Sequence, residues 1–315
     1  MSLLQEVYPE GSVILREVGL RDGLQLVKTF PSTEAKRRWL AEEHAAGVRH
    51  FEVGSFLPAK TFAQFADVRE MVRTVAALPG AHGVALVLNE RGVNEALASG
   101  VGEIASVVSA TEEHSQANAR RSRESAITNI RRLCELRDAA AHRPIVHAAI
   151  SMALGCSIAG AVDPDEVLRL VERCLETGVD AVGIADTVGY AGPKQVGDLT
   201  KAAVRLAGKK PICVHLHDTR GMGIANASAA LDAGARILDG SLGGLGGCPF
   251  APGATGNVVF EDLVFLCESK GFETGIDIEK LLAVRAILRE EMPNEPLYGG
   301  LARAGLPCGT AARAA

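Results

Sequence analysis

Short apolar runs alternate along this chain with stretches of helical periodicity. The apolar runs fall at about residues 13–18, 49–54, 83–88, 103–109, 145–151, 180–185, 212–217 and 236–241 and predict eight β-strands. Amphipathic segments lie at about 33–46, 62–77, 91–99, 117–141, 163–177, 193–206, 222–233 and 260–270 and predict helices. A further helix is expected near 277–290, followed by a loosely structured tail.

One phrase recurs at the junctions, as "AAGVRHFEVGS" (45–55), "ASGVGEIASVVSA" (98–110), "ETGVDAVGIADT" (176–187) and "DAGARILDGSLGG" (232–244). Its glycines, Gly47, Gly100, Gly178 and Gly234, stand where a helix should stop in a left-handed conformation before the next strand. Strands that alternate with helices imply parallel pairing through right-handed crossovers. Eight such units match a closed (β/α)8 TIM barrel. An open doubly wound sheet normally carries G-x-G-x-x-G after its first strand, and "GLRDGLQ" stands there instead. We therefore expect a TIM-barrel catalytic domain over 1–275 and a C-terminal helical extension over 276–315 packed on it.

Composition adds exclusions. The chain has 315 residues, 47% of them hydrophobic, enough for one large α/β core. The net charge of −5, with both signs interspersed, argues against a nucleic-acid partner. The seven cysteines form no C-x-x-C pair and suit a reducing compartment. The N-terminus lacks the basic and apolar regions of a signal peptide, and no apolar run is long enough to span a membrane. The expectation is a cytoplasmic protein.

In a (β/α)8 barrel the active site gathers at the C-terminal ends of the strands. The first predicted strand runs into Arg21-Asp22, and the second carries Glu52 and then Ser55. The sixth ends in Asp186 and the seventh in His215 and His217. The loop after the eighth, "GGLGGCPFAPGATGN", contains Cys248 and Asn257. Ligand-type residues thus collect at one rim. Each has a plainer alternative. Arg21-Asp22-Gly23 could be an Asp-Gly turn, Asp186 or Asn257 a helix cap, Cys248 a small filler, and the histidine pair two polar residues facing solvent. The other histidines, at 44, 50, 82, 114, 142 and 147, show no paired spacing and read as surface or core residues.

Two imidazoles at i and i+2 share one face of a strand and can hold one divalent ion. With an aspartate and an amide oxygen they make a mixed nitrogen and oxygen set, which suits Mg²⁺ or Mn²⁺ better than structural zinc. Arg21 beside it offers a fixed positive fork to an oxyanion. These parts suit carbon–carbon cleavage beside a carbonyl, with an enolate as the leaving fragment.

The segments "VGLRDGLQ" (18–25), "FEVGSFLPAK" (51–60), "GIADTVGYAGP" (183–193), "VHLHDT" (214–219) and "GGLGGCPFAPGATGN" (243–257) resemble the 3-hydroxy-3-methylglutaryl-CoA lyase family, over about residues 13–275. The resemblance implies that Asp22, His215, His217 and Asn257 ligate the metal and that Arg21 stabilises the enolate of departing acetyl-CoA. It implies that Cys248, on a loop closing over the substrate, takes part in proton transfer, and that Glu52 and Asp186 hold the arginine and metal shell. Arg21, Lys28 and Ser55 would bind the substrate, an acyl-CoA, and the assembly would be a homodimer. The implied reaction opens 3-hydroxy-3-methylglutaryl-CoA to acetyl-CoA and acetoacetate, a step of leucine degradation. Leu26 and Val27 stand where the family usually has Asn-Glu, and Leu20 where it has proline. A more apolar loop suits a longer 3-hydroxy-3-alkylglutaryl-CoA or citramalyl-CoA. A Claisen-type synthase or pyruvate aldolase on the same barrel, and a barrel that binds acyl-CoA without turnover, also stay open.

Overall fold

The structure, a computed structural model, describes residues 2–247 and 256–307. Eight strands, β1 (Ile14–Glu17), β2 (His50–Ser55), β3 (His82–Leu86), β4 (Glu103–Ser109), β5 (Ile145–Ser151), β6 (Ala181–Asp186), β7 (Ile212–Leu216) and β8 (Ile237–Gly240), form a closed barrel in sequence order. All neighbours are parallel, and β1 closes on β8 with Ile14 opposite Ile237 and Arg16 opposite Asp239. Each strand lies within two residues of where the hydrophobic pattern puts it.

Around the barrel run α2 (Thr33–Ala45), α3 (Val68–Ala76), α4 (Glu90–Ser99), α5 (Glu112–Ala119), α6 (Arg123–Ala139), α7 (Pro164–Glu176), α8 (Pro193–Ala207), α9 (Gly223–Asp232) and α10 (Phe260–Ser269). Two helices differ from expectation. The one expected over 117–141 is two: Arg120 turns left-handed at φ 52°, and the Ser122 hydroxyl then caps α6 by accepting the Ser125 N–H at 3.1 Å. The one expected from 62 starts at Val68, after a tight turn over Ala63–Phe65. The four stop glycines all have positive φ. At Gly47 no side chain would fit, because a Cβ would lie 2.1 Å from the Gly275 carbonyl oxygen.

A short helix, α1 (Leu3–Val7), was not legible in the apolar pattern. It is capped by Ser2 and Gln5 and leads into Tyr8. Tyr8 packs with Ile145, Cys213 and Ile237, residues at the N-terminal ends of their strands, and so closes the barrel floor. Beyond the barrel, α11 (Ile278–Glu291) buries Leu281, Val284, Ile287 and Leu288 in the same core as the barrel helices. Arg285 pairs with Glu261 of α10 at 2.5 Å, and Arg38 of α2 with Glu290 at 2.6 Å. The short α12 (Gly300–Ala304) follows within the expected loose tail. No helix among the described residues is long and apolar enough to cross a membrane.

Candidate active site

The site begins with a wide turn. After β1 the chain makes an i to i−5 hydrogen bond, from the Gly23 N–H to the Val18 carbonyl at 3.2 Å, so Arg21 and Asp22 sit on a π-type turn rather than a simple Asp-Gly turn. Such single π turns recur at functional sites. Glu17, buried in the last position of β1, accepts the N–H groups of Gly19 at 2.9 Å and Leu242 at 3.0 Å, tying this turn to the loop after β8. On β2 the register shifts between Glu52 and Gly54, and a bulge of this kind re-aims a side chain. Glu52 Oε2 lies 2.7 Å from Arg21 Nε. Arg21 Nη1 pairs with Asp22 Oδ1 at 2.5 Å on its other side. The guanidinium is thus held between two carboxylates.

His215, in β7, and His217, just past its end, bring their Nε2 atoms within 3.1 Å of each other. His217 Nε2 is 3.4 Å from Asp22 Oδ2. Two ring nitrogens this close cannot both carry a proton, and a carboxylate beside them adds a third acceptor. A cation satisfies all three, and ligand atoms of Asp22, His215 and His217 lie within 4.8 Å of one another. Burial works against charge on Asp22, yet Arg21 and the His217 hydrogen bond hold its carboxyl well below the usual carboxylate range. It is therefore ionised, as a ligand must be.

Behind His215 stands Asp239, whose Oδ2 lies 3.0 Å from His215 Nδ1. A carboxylate on Nδ1 fixes the proton there and leaves Nε2 bare for a metal. Arg16 grips the same carboxylate twice, Nε to Oδ1 at 2.8 Å and Nη2 to Oδ2 at 3.0 Å. Despite burial, Arg16 and His215 hold Asp239 well below the ordinary carboxylate range. The chain of polar groups continues downward: Arg16 donates to Glu103 at 3.2 Å, and Glu103 accepts the Tyr8 hydroxyl at 2.6 Å and lies 3.1 Å from His82. Sequence reasoning missed Asp239 and Arg16. The signal was available, since each is a charge inside an apolar strand, where a lone charged group is costly unless it is paired.

Asn257 does not cap α10, whose N-cap is Val259. Its backbone bridges to His217. Its side chain is buried, with Nδ2 donating to Asp22 Oδ2 and to the Leu245 carbonyl, both at 2.9 Å, while Oδ1 has no partner. The glycines around it are steric necessities: a Cβ on Gly246 would lie 2.6 Å from Asn257 Nδ2.

Asp186 is buried beside the metal shell: its carbonyl accepts the His217 N–H at 3.2 Å, while its carboxylate accepts the N–H groups of Tyr190 at 2.9 Å and Ala191 at 3.0 Å and so shapes the loop after β6 rather than holding Arg21. Two expected residues sit elsewhere. Ser55 is fully buried and donates to the Leu86 carbonyl at 3.1 Å, which takes it out of reach of substrate. Lys28 is exposed outside the cavity lining. Cys248 lies outside the described residues.

These groups line one side of a cavity of about 260 Å³ that runs from Asp22 and Gly247 at the rim down to Arg16 and Cys213. The opposite side, on β3, β4 and β5, carries Leu86, Ala105, Val107 and Ala149 together with the polar side chains of His147 and Ser151.

Comparison with known proteins agrees with this geometry. The HMGL-like family model matches residues 12–288. Hydroxymethylglutaryl-CoA lyase YngG of Bacillus subtilis is 34% identical over 285 residues, covering 90% of this chain and 94% of its own. The hydroxymethylglutaryl-CoA lyase of Pseudomonas mevalonii is 35% identical over 268 residues, 85% of this chain and 88% of its own. The solved structure of an HMG-CoA lyase from Acinetobacter baumannii, in complex with coenzyme A and 3-methylmalate, superposes with a TM-score of 0.88 at 31% identity, covering 98% of each chain. With that match added to a barrel whose rim joins an arginine turn to an Asp-His-His cluster, the chain belongs to the HMGL-like family and is a carbon–carbon lyase of the hydroxymethylglutaryl-CoA lyase type.

Proposed function

We propose that this protein cleaves 3-hydroxy-3-methylglutaryl-CoA to acetyl-CoA and acetoacetate, using Mg²⁺ or Mn²⁺ held by Asp22, His215 and His217. The observation that carries the reading is the convergence of those three ligand atoms beside Arg21 at the mouth of one cavity. The names of the relatives support the substrate, and the coenzyme A in the Acinetobacter complex supports an acyl-CoA. Asn257 is the fourth ligand in this reading, its unpartnered Oδ1 being the one oxygen of the side chain that no protein group uses.

When bound, the ion polarises substrate oxygens and makes the tertiary hydroxyl easier to deprotonate. The residues do the rest. As a base takes the hydroxyl proton, the C3–O bond gains carbonyl character, the C2–C3 bond breaks, and its electron pair passes into the thioester enolate. Arg21 faces that oxyanion. Glu52, fixed on Nε, and Asp22, on Nη1, set the orientation of the fork and leave Nη2 for the oxyanion. Cys248 returns a proton to C2, giving acetyl-CoA. Lys28, which is exposed, is available to the phosphates of coenzyme A. The test is a metal-reconstituted assay against a panel of 3-hydroxyacyl-CoA thioesters, reading acetyl-CoA release. Release that disappears on chelation and returns with Mg²⁺ or Mn²⁺ is expected. Binding of every thioester with release from none would make the protein a non-catalytic acyl-CoA binder.

A further inference from the structure

We infer that His147 is a substrate-binding residue: its Nε2–H, at the bottom of the cavity, takes the free carboxylate of the acyl group and so selects 3-hydroxyacyl-CoA thioesters that carry one. This rests on the lyase reading above and names a partner for the one polar group of the substrate that the reading leaves without one.

The bottom of the cavity is lined by Arg16, Cys213, Asp239 and His147. A guanidinium has five N–H groups and no acceptor. Each of those of Arg16 faces an acceptor. Nε lies 2.8 Å from Asp239 Oδ1, and Nη2 lies 3.0 Å from Asp239 Oδ2 and 3.2 Å from Cys213 Sγ. Nη1 lies 3.2 Å from Glu103 Oε1 and 3.3 Å from His147 Nδ1. In that last contact only the imidazole can accept, so Nδ1 carries the lone pair and Nε2 the proton. Glu103 Oε1 is also 3.4 Å from Nδ1, but Glu103 already accepts from Arg16 and the Tyr8 hydroxyl and faces His82. A second proton, placed on Nδ1, would be shared with Glu103 and would leave Nε2 a donor still.

That donor has no use inside the protein. Nε2 is buried without a hydrogen-bond partner. Its neighbours are complete: the Cys213 thiol donates to Asp239 Oδ1 at 3.4 Å, and Asp239 Oδ2 faces His215 at 3.0 Å. Space beside Nε2 is kept by Gly183 of β6, where a Cβ would lie 2.6 Å from it. Gly183 has no positive φ that would demand glycine. A glycine inside a strand weakens it and marks a place of close approach. Ala149, the next residue of β5 on the face of His147, is too small to cover the ring.

In the reading above the ion meets the tertiary hydroxyl and Arg21 meets the thioester oxygen. The carboxylate remains. A buried carboxylate without a hydrogen bond is costly, and so is a buried N–H without one. Each supplies what the other needs. The other polar side chains of the lining are engaged or stand at the mouth. Thr187 Oγ1 accepts the Met152 N–H at 2.9 Å, and the Ser151 hydroxyl donates to the Val108 carbonyl at 3.5 Å. Gln25 Oε1 faces Arg21 at 3.4 Å, and Asn118, on α5, is exposed.

The experiment uses the metal-loaded full chain and two thioesters. 3-Hydroxy-3-methylbutyryl-CoA differs from 3-hydroxy-3-methylglutaryl-CoA only in lacking the carboxylate. The KM of the glutaryl compound, and the Ki of the butyryl compound against it, are read in one acetyl-CoA release assay. Neither depends on the fraction of chain that is folded. His147→Phe keeps a flat ring and removes the N–H. It should raise KM about 10- to 100-fold, the range of a hydrogen bond to a charged group, and leave Ki within about twofold. His147→Gln keeps an N–H at the ε position and should recover most of the loss. Gly183→Ala puts a methyl group against Nε2 and should imitate His147→Phe; it decides the matter if that variant does not fold. An unchanged KM, or a KM and Ki that rise together, overturns the inference and leaves the lyase reading standing. No acetyl-CoA from the parent overturns the lyase reading. Calorimetric Kd values for the same two thioesters then decide His147, as they do for any variant too slow to assay. Weakening of the glutaryl compound alone upholds the inference, and any other pattern overturns it.

Discussion

Asp239 stands 3.0 Å behind His215, with its other contacts taken by Arg16 and the Cys213 thiol. The carboxylate fixes which imidazole nitrogen carries the proton and so which one is free at the cavity. Asp239→Asn keeps the size but removes the charge. Metal affinity, measured by titration calorimetry on the folded variant, should fall by about 10- to 100-fold. Unchanged affinity would mean that Asp239 does not act through His215.

His217 contributes a buried imidazole to the cluster, and its backbone bridge to Asn257 does not depend on that side chain. His217→Ala should lose activity by several orders of magnitude while its circular dichroism spectrum stays that of the parent. Full activity of this variant after exhaustive chelation would remove the metal from the reaction.

Arg21 acts in this scheme on charge that exists only as the bond breaks, so its loss should appear in kcat and not in KM. Arg21→Gln should lower kcat by about 10²–10³, the scale of a lost oxyanion donor. A change confined to KM would reassign Arg21 to holding coenzyme A.

Glu17 gives a pH dependence of stability. Burial pushes its carboxyl from 4.5 up to about 8, against the pull of the Leu242 and Gly19 N–H groups and helped by the neighbouring Glu261 and Glu52. A carboxyl raised in the folded state is neutral there while the unfolded chain already ionises. Its contribution is fully present below about 4.5 and is lost as pH rises through about 8. Glu17→Gln keeps an oxygen for both N–H groups and removes the titration. Urea unfolding should show the parent losing stability between about pH 5 and 8 relative to Glu17→Gln; parallel profiles would refute a raised Glu17.

Most of the barrel was legible because each strand is a short apolar run leading to a polar rim, four of them after a glycine stop, a pattern that local chemistry imposes. The rim cluster was legible for the same reason: Asp22, His215 and His217 sit at strand ends, where the fold puts its chemistry. What sequence could not give was the partner of each side chain. Asp186 and Ser55 occupy rim positions in the chain, yet their oxygens are used by the Tyr190 and Ala191 amides and by Leu86, contacts set only once the loops pack. Asp239 and Arg16 carried a signal as charges inside apolar strands, but their mutual pairing, which spans 223 positions, could not be read. The N-terminal helix escaped because five residues are too few for a periodic signal.

The seam between β1 and β8 has a bearing on biosynthesis. Asp22 and Asn257, 235 positions apart, meet only when that seam closes. A nascent chain holds Asp22 from early on but cannot assemble the ion-binding cluster until β7 has emerged, nor complete it until Asn257 follows. Ion capture then falls at the end of folding, and its free energy acts on the last step of ring closure rather than on the early strands. Fragments split between β1 and β7 would each lack the cluster and should regain it only by reassociating.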